Sequence, residues 1–172
     1  MNIQKVVKHC IVGSAFSVCT LFATLAHADG ETVLPSLVGT WTLVAADVQH
    51  PDGSRTSDYG AAPKGLLIID TQGHYSVQIF KAERPKFASG DRSKGTPEEY
   101  KAASLGSSTH FGTVSVDPDG GTLTFHIQNA SFPNLEGATD KRSYELKNGQ
   151  LSYRVAPRPN GDVPISVWQR MN

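Results

Sequence analysis

Turn-forming residues cut this chain into pieces too short for a helical fold. Pro51-Asp52-Gly53, Asp70-Thr71-Gln72-Gly73, Asp117-Pro118-Asp119-Gly120 and Asn148-Gly149 each interrupt an apolar stretch. Glycine, proline, asparagine and aspartate favour turn backbone that helix and strand interiors disfavour. What remains between them is short and rich in β-branched and aromatic residues, which favours strands.

Eight strands can be read from these pieces. Leu37–Gln49 runs to the first turn, and Gly65–Asp70 is almost continuously apolar. His74–Phe80 alternates Tyr75, Val77 and Ile79 with Ser76 and Gln78, the period of a half-buried strand. Thr109–Val116, Gly121–Gln128, Lys141–Leu146, Leu151–Val155 and Val163–Arg170 follow. Asn148-Gly149 between two apolar runs is the strongest hairpin signal in the chain. An open meander of this size would leave two unpaired edges, so closure is expected. The expected fold is an all-β, eight-stranded, antiparallel up-and-down barrel.

One segment departs from this pattern. Thr96-Pro97-Glu98-Glu99 supplies an N-cap, a proline at the first helical position and a glutamate at the third. It predicts one short helix from Pro97 to about Leu105, between the third and fourth strands, with Tyr100 and Ala103 as its apolar stripe. The surrounding residues 81–108 are expected to lie against the barrel wall or to cap its mouth.

The N-terminus reads as an export signal. Lys5 and Lys8 precede an apolar run from Cys10 to Leu25, which ends in Ala26-His27-Ala28, the order of a secretory signal peptide. Residues 1–28 are therefore expected to be removed, leaving 29–172 as a single periplasmic or secreted domain of 144 residues with no stable membrane span. Both cysteines, Cys10 and Cys19, leave with the signal, so disulfides and thiolate chemistry are excluded from the mature part. Loss of Lys5 and Lys8 leaves 14 basic and 16 acidic residues. No basic stripe remains, and nucleic acid is not an expected partner.

Gly39-Thr40-Trp41 at the head of the first strand, with Arg170 on the last, resembles the closed end of a lipocalin. The match lengthens through Leu37–Val44, Pro63–Ile68 and Gly73–Gln78. It continues through Arg84-Pro85-x-Phe87, Gly95–Tyr100 and Phe111-Gly112-Thr113, and at His126, Pro133, Gly137 and Arg142. Together these runs are similar to the bacterial and fungal lipocalin-like domain proteins, a calycin-type barrel. The resemblance implies that Gly39, Trp41, Trp168 and Arg170 seal one end of the barrel, the arginine lying over the indole. Chemistry then belongs at the other end.

Strand parity predicts which polar groups face inward. Tyr75 shares a face with Val77 and Ile79, His110 with Val114 and Val116, Arg142 with Tyr144 and Leu146, and Tyr153 with Leu151 and Val155. With Arg84 and His126 these form the candidate ligand-binding set: Tyr75, Arg84, His110, His126, Arg142, Tyr144 and Tyr153. Arg142-Ser143-Tyr144 is similar to the carboxylate clamp of fatty-acid-binding barrels, although there the pair lies on the closing strand. Its alternative is a structural arginine tied to a backbone carbonyl or near Glu145. His126 alternates against Leu123, Phe125 and Ile127, which places it outside unless the 81–108 segment covers it. Arg84-Pro85-x-Phe87 reads either as a fixed loop or as a lid element.

The remaining histidines carry no His-x-His or His-Glu-x-x-His spacing, so neither a metal nor a cofactor is indicated. No Gly-x-Ser-x-Gly elbow or phosphate-binding glycine loop is present. Two functions fit best: a protein that holds a small hydrophobic or amphipathic molecule inside the barrel, or a cofactor-independent isomerase or cyclase using His126, His110 or Tyr153 as its proton carrier. A packed envelope barrel without ligand is the third.

Overall fold

A computed structural model describes residues 34–117 and 121–171. The expected signal segment 1–28 lies outside the described residues, as does the centre of the turn after Asp117. Among the described residues nine strands form one antiparallel sheet: β1 (Gly39–Gln49), β2 (Arg55–Thr56), β3 (Lys64–Ile69), β4 (His74–Phe80), β5 (Ser107–Val116), β6 (Thr122–Ala130), β7 (Thr139–Lys147), β8 (Gln150–Arg154) and β9 (Val163–Arg170). Apart from β2, each strand pairs with its neighbour in sequence, and β9 returns to β1 from Trp41↔Arg170 to Gln49↔Val163. That pairing closes an eight-stranded barrel and removes its edges.

The strand β2 is two residues long and hangs on Val48–Gln49 of β1. It is too short to show periodicity, so it is invisible in sequence. Because of it the helix α1 (Pro97–Leu105) follows β4 rather than lying between strands 3 and 4. The helix forms as its capping box predicts. Thr96 Oγ1 accepts from the Glu99 amide, and the Glu99 carboxylate accepts from the Thr96 amide.

The segment touches the barrel wall, with Arg84 over the Phe80 ring and Ser107 Oγ donating to Ala103 O, but its helix presents no buried apolar stripe. The helix buries no residue, and Tyr100 and Leu105 are exposed. Its connection instead folds on itself. Phe87 meets Tyr100 edge-on at 5.4 Å, Ala88 N–H donates to Glu99 at 2.7 Å, and Gly95 N–H donates to the Tyr100 hydroxyl at 3.0 Å. Of the two readings of Arg84-Pro85-x-Phe87, the self-contained loop is the one that forms.

The interior follows the alternation in the sequence. Leu67 and Ile69 of β3, Tyr75, Val77 and Ile79 of β4, Leu123, Phe125 and Ile127 of β6, and Leu151 and Tyr153 of β8 are all buried in one core. Tight turns at Asp70–Gly73 and Asn148-Gly149 sit at one end; Asn148 and Gly149 both take positive φ, 52° and 72°, as a two-residue hairpin of this type requires. The longer connections 50–63, 81–106, 131–138 and 155–162 gather at the other end.

The tight-turn end is sealed as the Gly39-x-Trp41 resemblance implies. Trp41 is fully buried and donates from Nε1 to Leu37 O at 3.1 Å. The Arg170 guanidinium lies 4.2 Å from the Trp41 ring centroid and donates to Val38 O at 2.7 Å and to Ser36 O. Gly39 holds φ +142°, and a Cβ there would stand 2.6 Å from Arg170 Nη1. Glycine is therefore required twice, by backbone angle and by close approach. Trp168 is fully buried beside Tyr153, their ring centroids 6.4 Å apart.

Candidate functional site

Four of the seven candidate binding residues meet inside the barrel. Tyr75 on β4 and His110 on β5 lie close because Val77 pairs with His110 and Tyr75 with Gly112. The Tyr75 hydroxyl is 2.8 Å from His110 Nδ1. Phe125 of β6 stands edge-on to Tyr75 at 4.8 Å and tilted to Tyr153 at 5.7 Å. Arg142 enters from β7, its guanidinium 4.2 Å from the Phe125 centroid and 5.0 Å from that of Tyr153. All four polar side chains belong to buried residues.

The Arg142 charge is met by Asp140, two residues earlier on the same face of β7. Arg142 Nε and Nη2 both donate to Asp140 Oδ2, at 3.0 and 2.9 Å. Neither a backbone carbonyl nor Glu145, the partners considered from sequence, takes this role. Stacking on two rings and pairing with a carboxylate is how a guanidinium tolerates burial.

Burial sets the protonation states of the cluster. Desolvation, reinforced by the nearby Arg142 charge, pushes the His110 pKa down to about 3, so its ring is neutral near pH 7. Desolvation also drives the Tyr75 hydroxyl well above the usual phenol range, against the opposing pull of Arg142. The hydroxyl of Tyr153 is buried and meets no hydrogen-bonding partner among the described residues. Such an orphan inside a barrel needs an explanation, since an unmet buried hydroxyl costs about 1–3 kcal/mol.

Next to this cluster lies a cavity of about 200 Å³. Its walls include His110, Arg142, Asp140, Tyr153, Ile79, Ile165 and Ser166, with Asp47, Asp58, Tyr59 and Leu135 also on its lining. Tyr59 and Leu135 come from the 50–63 and 131–138 connections, so these loops cover the opening, whereas no residue of 81–106 lines it. A wider depression of about 420 Å³ lies over Ser76, Gln78, Thr109, Phe111 and Asn129. It is an open groove on the outer wall of β4–β6.

The other three candidates stand apart from the cavity. Arg84 is exposed on the 81–106 connection, its guanidinium 5.1 Å from the Phe80 ring centroid. His126 is exposed on the outer face of β6, as parity indicates, and its Nδ1 is 3.0 Å from Thr139 Oγ1. Tyr144 does face the core, but it is only half-buried and packs away from the cavity. Two residues further along β7 than Arg142, it lies nearer the sealed end. Conversely, sequence reasoning missed Asp140, Tyr59 and Leu135. The Asp140-x-Arg142 spacing is the one available signal, because residues two apart share a strand face.

Among the described residues no three His, Cys, Asp or Glu side chains gather as metal ligands, and no helix is long and apolar enough to cross a membrane.

Comparison with known proteins identifies the family. No curated protein matches the sequence. Among solved structures, a lipocalin-like protein from Bacteroides uniformis ATCC 8492 is 15% identical with a TM-score of 0.42, over 79% of this chain and 99% of its own. A point mutant of the fluorescent protein UnaG is 19% identical with a TM-score of 0.33, over 78% of this chain and 95% of its own. The family model described as lipocalin-like domain matches residues 38–171. With its closed eight-stranded barrel and its Gly39-Trp41-Arg170 seal, the chain belongs to the lipocalin-like domain family.

Proposed function

We propose that this protein is an exported carrier that binds one small, largely apolar molecule in the barrel interior. The observation that carries this reading is a cavity of about 200 Å³ inside the barrel, lined by His110, Arg142 and Tyr153 beside apolar residues and covered by the 50–63 and 131–138 connections. Apolar walls with a few converging polar groups are the usual make-up of a small-molecule site. The cavity also argues against a barrel filled entirely by its own side chains.

The isomerase or cyclase alternative is less well supported by the same cluster. General acid–base catalysis is most efficient when the group's pKa lies near the working pH. His110, held down to about 3, is a weak base and stays neutral, and Tyr75 resists ionisation. His126, the other candidate, is on the outer wall.

Binding is tested by titrating the purified protein with single-ring, double-ring and long-chain compounds while following its amide resonances. The expected result is a one-to-one complex with single-ring compounds that shifts Tyr75, His110 and Tyr153. If no compound binds, or if only the outer groove around Phe111 responds, the carrier reading fails. Export rests on the N-terminal pattern Lys5, Lys8, Cys10–Leu25 and Ala26-His27-Ala28. N-terminal sequencing of the protein recovered from its native compartment should begin at Asp29; an intact Met1 there would refute cleavage.

A further inference from the structure

We infer that the 131–138 connection is a hinged flap whose movement widens the mouth of the cavity, while the 50–63 connection is its fixed side. The inference concerns access to the same cavity as the carrier reading, and it is tested without any ligand.

The two connections that cover the opening are held very differently. The 50–63 connection is tied to β1, to Ala82 and to the 155–162 connection. Ser57 Oγ donates to Asp47 at 3.0 Å, Ala82 N–H donates to Tyr59 O at 2.9 Å, and Asp58 pairs with Arg158 at 3.5 Å. His50, at its start, lies with Nδ1 2.8 Å from an Asp162 carboxylate oxygen. These ties fix Tyr59 in its place on the cavity wall.

The 131–138 connection is clamped only at its two ends. Ser131 N–H donates to Thr109 O at 2.8 Å, and Ser131 Oγ accepts from Thr109 N–H at 3.0 Å. At the far end Gly137 N–H donates to Ile127 O at 2.8 Å, and Ile127 N–H donates to Ala138 O at 2.9 Å. Between the clamps, Leu135 and Glu136 N–H donate within the connection, to Phe132 O and Pro133 O. The Glu136 carboxylate reaches back only to Asn129 and Ala130, at 3.5 Å. Among the described residues no hydrogen bond or ion pair joins 131–138 to 50–63, 81–106 or 155–162.

Packing repeats the contrast. Leu135 alone of this connection lines the cavity, while Phe132, Pro133, Asn134 and Glu136 are exposed. A segment with few buried contacts and self-contained bonds opens at lower cost than one tied across the molecule. Gly137 stands at the second clamp with φ +75°, where a hinge has to absorb the turn. Swinging between Ser131 and Gly137 withdraws Leu135 from the mouth and leaves Tyr59 where it is.

The test is the rate at which N-phenylmaleimide, a neutral reagent, modifies a thiol placed on the cavity wall by Ser166→Cys, followed at that residue by mass spectrometry. Gly137 in the flap and Gly53 in the fixed connection form a matched pair. Their φ values are +75° and +86°, and a Cβ at either would meet nothing within 4 Å. Alanine therefore strains both backbones alike without touching a cavity wall. Gly137→Ala should raise the rate at Ser166→Cys about fivefold, because opening relieves the strain. Gly53→Ala should leave that rate essentially unchanged. A thiol from Val114→Cys, buried next to the tight turn at Gly73, should stay protected in the Gly137→Ala background. Four results each overturn the flap: no effect of Gly137→Ala, an equal or larger effect of Gly53→Ala, faster modification at Val114→Cys, or a rate in Ser166→Cys alone that matches the unfolded protein. None of them bears on the carrier reading, which stands or falls on its own titration.

Discussion

Arg170 and Arg142 each rest a guanidinium 4.2 Å from the centroid of an aromatic ring, one on Trp41 and the other on Phe125. Their hydrogen bonds differ. Arg170 donates to two backbone carbonyls, Val38 O and Ser36 O, which have no alternative charge state to offer. Arg142 donates to a carboxylate, Asp140, at the edge of a cavity. The first arrangement fixes chain against chain and closes the barrel. The second balances charge in a space that another molecule can enter. One stacking motif thus serves as a seal at one end and as a wall of a site at the other, and the partners decide which.

That contrast makes the seal the more expensive to remove. Arg170→Ala should lower stability by about 3 kcal/mol, from lost stacking and two stranded carbonyls. No second substitution nearby should recover it, because the carbonyls are backbone. Chemical denaturation measures this directly. A loss below about 1 kcal/mol would mean that the seal depends on Trp41 packing alone.

Arg142→Leu should cost less, about 2 kcal/mol. A broken buried ion pair leaves its partner's charge stranded, but Asp140 retains 19% side-chain exposure and some access to water. Adding Asp140→Asn should restore at least half of the loss, since the stranded charge is then gone. Failure of the double variant to recover would show that Arg142 acts by packing on Phe125 and Tyr153, and the distinction between the two arginines would narrow.

How much of this was legible in sequence depended on periodicity. Tyr75, His110, Arg142 and Tyr153 were placed correctly because each alternates with aliphatic neighbours on its strand, and parity transmits burial along a strand. Gly39, Trp41 and Arg170 were legible through a motif whose two requirements, positive φ and close approach, only glycine meets. The helix was legible through local chemistry, its capping box, but its packing was not. Tyr100 stabilises its own loop through Gly95 and Phe87, contacts that no helical stripe encodes. Tyr59 and Leu135 reach the cavity from connections without periodicity. Asp140 was missed because an acidic residue near a strand's start is ordinarily solvated. Here its arginine partner draws it in.

The mouth should also respond to pH, through the buried His110. His110 is neutral in the fold, with its pKa lowered to about 3, but titrates near 6.5 in the unfolded chain. Between those values the unfolded state binds the extra proton, so stability is greatest above about pH 6.5 and falls as pH drops towards 3. One proton gives a slope of at most about 1.4 kcal/mol per pH unit. His110→Asn should flatten the curve between pH 6.5 and 4.5, a range above the ordinary titration of the carboxylates. An unchanged slope in the variant would assign the effect to other groups.

The smallest effect is the one that best separates a site from a seal. A sealing residue is optimised for the folded chain, so truncating it destabilises. Tyr153 carries a buried hydroxyl that nothing in the described fold meets, and the fold bears the cost. Tyr153→Phe removes only the buried hydroxyl that has no partner among the described residues and keeps the ring against Phe125 and Trp168. The ligand-free protein should therefore gain about 1 kcal/mol, the desolvation penalty relieved without a lost hydrogen bond. Thermal denaturation of ligand-free protein should show a rise of a few degrees. A fall would mean that the hydroxyl already has a partner, such as an ordered water, and that the cavity is wet in its resting state.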